Sequence, residues 1–169
     1  MTTSEYPHSF SCLAIETATA LSTVAASHEG RVHSVCLSGN RPGAGEVYAA
    51  IDEALAAVAA EPINLNCIAF GCGPGGFTGV RIAAAVTQGL AYGLQLPVFR
   101  FSSLGLLAMG AALQIKNDSG NKVFAAAIDA RQDESYVGFY RIKDGIPQTI
   151  MPDALVKPAA FDLADVAKE

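Results

Sequence analysis

Glu16 and Asp129 are the first residues to weigh as chemistry. Each closes an apolar run, Leu13-Ala14-Ile15-Glu16 and Ala126-Ala127-Ile128-Asp129. Two strand-end carboxylates facing one cleft would do acid–base work or hold Mg²⁺ through water. A solvated or backbone-bonded carboxylate is the commoner use of such a residue, and it is the preferred reading for both. The second candidate is the glycine-rich stretch Gly71-Cys72-Gly73-Pro74-Gly75-Gly76-Phe77-Thr78-Gly79-Val80-Arg81. Gly71, Gly73 and Gly76 satisfy G-x-G-x-x-G between a strand and a helix, the setting of a dinucleotide site. Three features oppose that use. No Asp or Glu lies between Glu61 and Asp118 to meet a ribose. Pro74 removes a backbone donor where phosphate needs one. The chain also opens with a meander and not with β-α-β. No Gly-Lys-Ser/Thr follows, so a Walker loop fails as well. The glycines therefore read as a tight strand-to-helix turn, with Thr78 as the helix N-cap.

Other catalytic patterns do not form. His8, His28 and His33 have no zinc-binding spacing, and Ser22, Ser27 and Ser38 lack a G-x-S-x-G elbow. A peptidase is the least supported class, because nothing supplies a nucleophile with a base. Cys12, Cys36, Cys67 and Cys72 form no C-x-x-C pair, and three of the four fall in strand-like apolar runs. They read as buried free thiols in a reducing compartment. Lys and Arg number 11 against 16 Asp and Glu, a net charge of −5, with no basic cluster. A chain gripping nucleic acid alone needs a basic stripe to displace counterions, so any role on RNA or DNA would need a partner to supply the positive surface. Hydrophobic residues at 51% exclude disorder. Met1–Ser9 lacks a signal-peptide pattern, and the apolar stretch Leu104–Leu113 is too short to span a bilayer. The expectation is a cytoplasmic protein with no membrane role.

The elements that must position these residues follow from patterning. Phe10–Glu16, Ser22–His28 and Arg31–Leu37 read as three antiparallel strands, with Glu29-Gly30 as a hairpin turn. Glu46–Ala60 reads as a helix, with Val47, Ile51, Leu55 and Val58 on one face. Leu65–Phe70 is a strand, Val80–Leu96 a helix, Val98–Phe101 a strand and Ser102–Ile115 a helix. The order β-β-β-α-β-α-β-α implies a mixed sheet with flanking helices. After Lys116–Asn121 the opening pattern returns, with Asp144-Gly145 as the second hairpin turn. The chain thus reads as a first lobe over 10–115 and a truncated repeat over 122–169, ending in a short helix at Ala159–Lys168. The second lobe is incomplete.

Pro62–Ile115 contains 54 residues and two charges, Arg81 and Arg100. The helix Val80–Leu96 carries Ala83, Ala84, Ala85, Gly89, Ala91 and Gly93, which leave little side chain between neighbouring backbones. Either the fold covers both of its sides or it is built to pack on a helix of another chain. The second reading is preferred, because so small a protein has few elements to cover it.

"LAIETATALSTVAA", "IAFGCGPGGFTGVRIAAAVTQGLAYGLQLPVFRFSSL" and "AAIDARQDESYVGFY" resemble the TsaB (YeaZ-like) family of bacterial tRNA threonylcarbamoyladenosine biosynthesis proteins, over roughly Leu13–Tyr140. The resemblance implies the actin/Hsp70-like (ribonuclease H-like) α/β fold of two lobes. It implies a non-catalytic scaffold, inactive alone, that binds and activates a catalytic paralogue, TsaD, together with an ATPase, TsaE. The implied interface is Phe77, Val80, Arg81, Ala84, Ala85, Gln88 and Tyr92, used on the paralogue or on a second copy in a homodimer. The family's strand-end Asp-Thr-Ser stands here as Glu16-Thr17-Ala18, and the histidine common before its first helix is absent from Arg41–Glu46. Glu16, Thr17, Thr19, Gly73 and Asp129 would then line a vestigial nucleotide cleft. No cofactor or metal is expected on this chain alone, with ATP or ADP and Mg²⁺ at the complex interface. The competing function is a stand-alone ATPase using Glu16, Thr17 and Asp129.

Overall fold

The computed structural model describes residues 10–37, 42–115 and 122–158. They form two compact units. Of the described residues, the first comprises 10–37, 42–72 and 77–100, and the second 73–76, 101–115 and 122–158.

The first unit is built on strands β1 (Cys12–Glu16), β2 (Thr23–His28), β3 (Arg31–Cys36), β4 (Cys67–Gly71) and β5 (Val98–Phe101), in the spatial order β3-β2-β1-β4-β5. β1, β2 and β3 form an antiparallel meander, and β4 pairs parallel to β1 with Leu13 beside Ile68. The β2–β3 turn places Glu29 and Gly30 at φ 48° and 76°. Two left-handed residues make the type I′ turn, whose twist matches that of the flanking strands. Alternation along β1 and β2 turns Leu13, Ile15, Val24 and Ala26 to one face, where they are buried. Helices α1 (Ala44–Ala57) and α2 (Phe77–Leu94) bury that face with Val47, Ile51, Leu55, Ala83, Val86 and Ala91.

The helix ends differ from their expected positions for local reasons. α1 starts two residues early, because the Glu46 side chain reaches back to accept the Gly43 N–H at 2.7 Å. It ends before Ala59, which is left-handed at φ 56°, while the Ala60 N–H bonds back to Leu55. α2 ends the same way, with Gln95 at φ 55° and the Leu96 N–H on the Ala91 carbonyl. This six-to-one closure satisfies carbonyls that a helix end would leave open. α2 also begins at Phe77, so Thr78 is its second residue and not its N-cap.

The second unit pairs β6 (Val123–Arg131), β7 (Glu134–Lys143) and β8 (Ile146–Val156) as an antiparallel sheet. Asp144 and Gly145 make its hairpin turn at φ 52° and 75°. Like the opening of the first unit it is an antiparallel meander, and among the described residues it has three strands where the first unit has five. Helix α3 (Ser103–Gln114) belongs here, contacting β6, β7 and β8, whereas the sequence reading had placed it in a first lobe over 10–115. Leu104, Ala108, Phe124, Ala126 and Tyr140 form the core. Ser102 caps α3, accepting the Gly105 N–H. Its hydroxyl donates to Asp153 Oδ2 at 2.6 Å, and the buried Tyr140 hydroxyl donates to Asp153 Oδ1. The helix expected over 159–168 lies outside the described residues. Among the described residues no helix is long and apolar enough to cross a membrane.

Of the four cysteines, none in a disulfide, only Cys67 is buried; Cys12 is half-buried, and Cys36 and Cys72 are exposed. Strand alternation is the reason. Cys36 closes the edge strand β3, and Cys72 lies just past the end of β4. Cys12 and Cys67 are cross-strand neighbours, and burial first, then Cys67, pushes the Cys12 thiol up to about 12. A thiol is reactive as its thiolate. An aromatic disulfide reagent is therefore expected to label Cys36 and Cys72 rapidly in the folded protein, and Cys12 and Cys67 only in denaturant. Rapid native labelling of Cys12 would contradict the sealed pair.

Candidate strand-end site and exposed helix face

The end of β1 carries two of the sequence-predicted cleft residues, Glu16 and Thr17. Glu16 is buried and its Oε1 accepts the Ala18 N–H at 2.5 Å. Its Oε2 lies over Gly71 at the end of β4, where an added Cβ would come within 1.9 Å of it. The carboxylate thus closes its own turn. Thr17, also buried, donates from Oγ1 to the Gly79 carbonyl at 2.7 Å, and Gly79 packs directly on the Thr17 backbone. Two residues thought of as nucleotide ligands therefore join β1 to β4 and α2.

The remaining cleft candidates are placed differently. Thr19 donates to the Leu21 carbonyl within its own turn. Gly73 and Asp129 belong to the second unit. The Gly73 carbonyl accepts the Ser103 N–H at 2.8 Å. Asp129 is exposed, and its Oδ1 accepts the Arg131 N–H at 2.8 Å. His28, half-buried, lies 2.6 Å from the Ser11 hydroxyl through Nδ1, so it is a satisfied histidine; His33 is exposed, and His8 lies outside the described residues.

Gly71 and Gly79, read from the sequence as part of a tight turn, make room for these contacts, which the sequence reading did not foresee. Their only signal was a glycine where a strand ends and another in the first turn of a helix. Gly71→Ala is expected to displace the Glu16 carboxylate and strip the Ala18 N–H of its partner, at about 1–3 kcal/mol. Combining it with Glu16→Ala should cost less than the sum of the single changes, because one contact is lost twice. Urea denaturation of the four proteins measures this. Strict additivity would refute the contact.

The second feature is the outer face of α2. Ala83, Val86, Thr87 and Ala91 point into the core. Phe77, Arg81, Ala85, Gln88 and Tyr92 recur at helical spacing on the opposite side and are exposed, Phe77 at 68% and Tyr92 at 90%. Val80 and Ala84 flank them, half-buried. Arg81 is the one charge on this helix, and its guanidinium stacks 3.6 Å over the Phe77 ring. Beside it lies an open apolar hollow of about 370 Å³, lined by Ala44, Phe77, Thr78, Ile82, Ala85 and Val86 along with Arg81.

Comparison with known proteins fits this geometry. The family model described as TsaD, tRNA N6-adenosine threonylcarbamoyltransferase, matches residues 44–168. The tRNA threonylcarbamoyladenosine biosynthesis protein TsaB of Escherichia coli K12 is 35% identical over 147 residues, covering 86% of this chain and 62% of its own. Its namesake in Haemophilus influenzae is 39% identical over 124 residues, covering 73% of this chain and 51% of its own. The solved structure of YeaZ from Pseudomonas aeruginosa matches with a TM-score of 0.83 at 38% identity, over 91% of this chain and 70% of that one. The chain belongs to the TsaB family. It spans between half and two thirds of the length of these two curated TsaB relatives. The fold is the α/β class expected from the sequence, a mixed sheet in the order β3-β2-β1-β4-β5 with flanking helices.

Proposed function

We propose that the chain is a non-catalytic scaffold subunit in tRNA N6-threonylcarbamoyladenosine formation. It binds and activates a TsaD-like catalytic paralogue through the outer face of α2, in company with a TsaE-like ATPase. The observation that carries this reading is the exposed stripe Phe77, Arg81, Ala85, Gln88 and Tyr92, with a single charge in 18 residues. Exposed aromatics and an arginine stacked on a ring are what interface centres are enriched in. Ala84, Gly89 and Gly93 are small enough for a partner helix to approach closely, and the hollow beside Phe77 accepts one of its side chains.

The acidic balance supports contact with tRNA by way of the complex. The same face serves a second copy when the paralogue is absent. ATP or ADP with Mg²⁺ belongs at the complex interface. The stand-alone ATPase reading gains no support, since Glu16 and Thr17 are committed to Ala18 and Gly79. Calorimetry of the chain with ATP and Mg²⁺ should give no binding heat. The deciding experiment is capture of the chain by its tagged TsaD-like paralogue. Ala85→Arg or Gln88→Arg should abolish capture with the circular dichroism unchanged, and undiminished capture overturns the reading.

A further inference from the structure

Two of the four thiols stand side by side although 55 positions separate them in the chain. Cys12 opens β1 and Cys67 opens β4, and the parallel register sets one directly beside the other. The next pair in the same ladder, Leu13 beside Ile68, is fully buried in the core that α1 and α2 cover. Alternation therefore turns both cysteines to the other face of the sheet. Their sulfurs are close enough for Cys67 to act on the Cys12 thiol by hydrogen bond and by charge. The Ala69 backbone N–H also bonds to the Cys12 sulfur and favours its thiolate. Cys67 is 3% exposed and Cys12 is half-buried, so the pair is reached from the Cys12 side.

Spacing decides what such a pair can hold. Neighbouring strands lie about 4.8 Å apart, and side chains set side by side leave them in the same direction. A disulfide wants its Cβ atoms about 3.8 Å apart, so a bridge here would have to draw two paired strands together. A metal ion held in line between two thiolates sets the sulfurs roughly 4.6 Å apart, at ~2.3 Å per bond. That is close to the strand spacing. Ligand number then chooses the ion. Structural zinc takes four ligands, and iron–sulfur clusters take four cysteines. Among the described residues no group of three or more His, Cys, Asp or Glu could share a metal. A soft ion that is satisfied by two thiolates is left, and Cu(I) is the one that thiolates select.

We propose that Cys12 and Cys67 form a two-coordinate site for Cu(I). Binding breaks two S–H bonds and forms two copper–sulfur bonds. Two protons pass to solvent, copper stays monovalent, and the site carries one negative charge. No oxidant or reductant takes part. The ion displaces each proton as it binds, so a pair that a bulky disulfide reagent labels slowly still takes a bare cation. Occupancy staples β1 to β4, the strands that end on Glu16 and Gly71.

The test is anaerobic titration of the reduced full chain with Cu(I) against a coloured Cu(I) chelator. The chain should keep one equivalent, and should keep it in the double variant Cys36→Ser with Cys72→Ser. Losing a group that merely supports a ligand already costs about 10–100-fold in metal affinity. Cys12→Ser and Cys67→Ser each remove a ligand itself and should weaken binding by about a hundredfold or more. X-ray absorption at the copper edge should show two sulfur neighbours and no nitrogen or oxygen. Neither the absorption spectrum nor the Cys36→Ser/Cys72→Ser titration alters the pair, so both decide the matter if Cys67→Ser folds poorly. A chain that keeps no copper overturns the proposal. So does retention that is lost with Cys36 and Cys72, a third ligand in the absorption spectrum, or single variants that bind as well as the wild type.

Discussion

Replacing Gly79 with alanine is expected to cost on the order of 3 kcal/mol or more, at the upper end for overpacking. The new Cβ would stand 1.8 Å from the Thr17 carbonyl oxygen, 2.7 Å from its carbon and 3.3 Å from the Ala18 Cα. All three are backbone atoms, so no rotamer relieves the clash. Thr17 and Ala18 are each 4% exposed and follow directly on β1, which is paired on both sides. The strand end therefore has nowhere to move. α2 would have to retreat instead, breaking the 2.7 Å bond from Thr17 Oγ1 to the Gly79 carbonyl. Gly93, in the same helix, meets nothing within 4 Å. Gly93→Ala is expected to be neutral or to stabilise by up to about 1 kcal/mol, the ordinary helix preference for alanine. Urea midpoints of the two variants separate the cases. Equal midpoints would mean that α2 does not approach β1 as described.

The second large effect is on association. An arginine at Ala85 sits in the middle of the exposed stripe, four residues from both Arg81 and Gly89. Burying an unpaired charge costs several kcal/mol. The side chain also fills the space a partner backbone would use, and Arg81 lies one turn away as a like charge. A loss of at least about a hundredfold in affinity for the TsaD-like paralogue is expected, since each 1.4 kcal/mol is tenfold. Stability should barely change, because Ala85 is exposed in the isolated chain. Ala85→Ser is the matching control and should bind nearly as well. Titration by calorimetry gives both affinities. Equal affinities of the arginine and serine forms would move the interface elsewhere.

What could be read from the sequence, and what could not, follows from the range of the interactions. The hairpin turns were legible because Glu29-Gly30 and Asp144-Gly145 announce left-handed backbone locally. The strand Val98–Phe101 was bounded in advance by Pro97 and by Ser102, which caps the next helix. The exposed face of α2 was legible in outline because it carries a single charge, Arg81. The place of α3 was not, because Leu104 and Ala108 are buried while Leu106 and Leu107 are exposed, all equally apolar. No polar side told that helix which sheet to choose. Which groups Glu16 meets was not legible for another reason. A carboxylate at a strand end looks alike whether it meets a ligand or an amide two residues on, and Gly71, which leaves room for it, lies 55 positions away. The cysteines show how little an apolar run says about exposure at a sheet edge.

Asp153 holds two hydroxyls, one from the residue that starts α3 and one from the middle of β7, and it sits on β8 itself. One side chain thereby ties the helix to the two strands that follow β6. α3 cannot unwind from its first turn without releasing the Ser102 hydroxyl from Asp153. The second unit should therefore melt as one cooperative block, without a helix that frays ahead of its sheet.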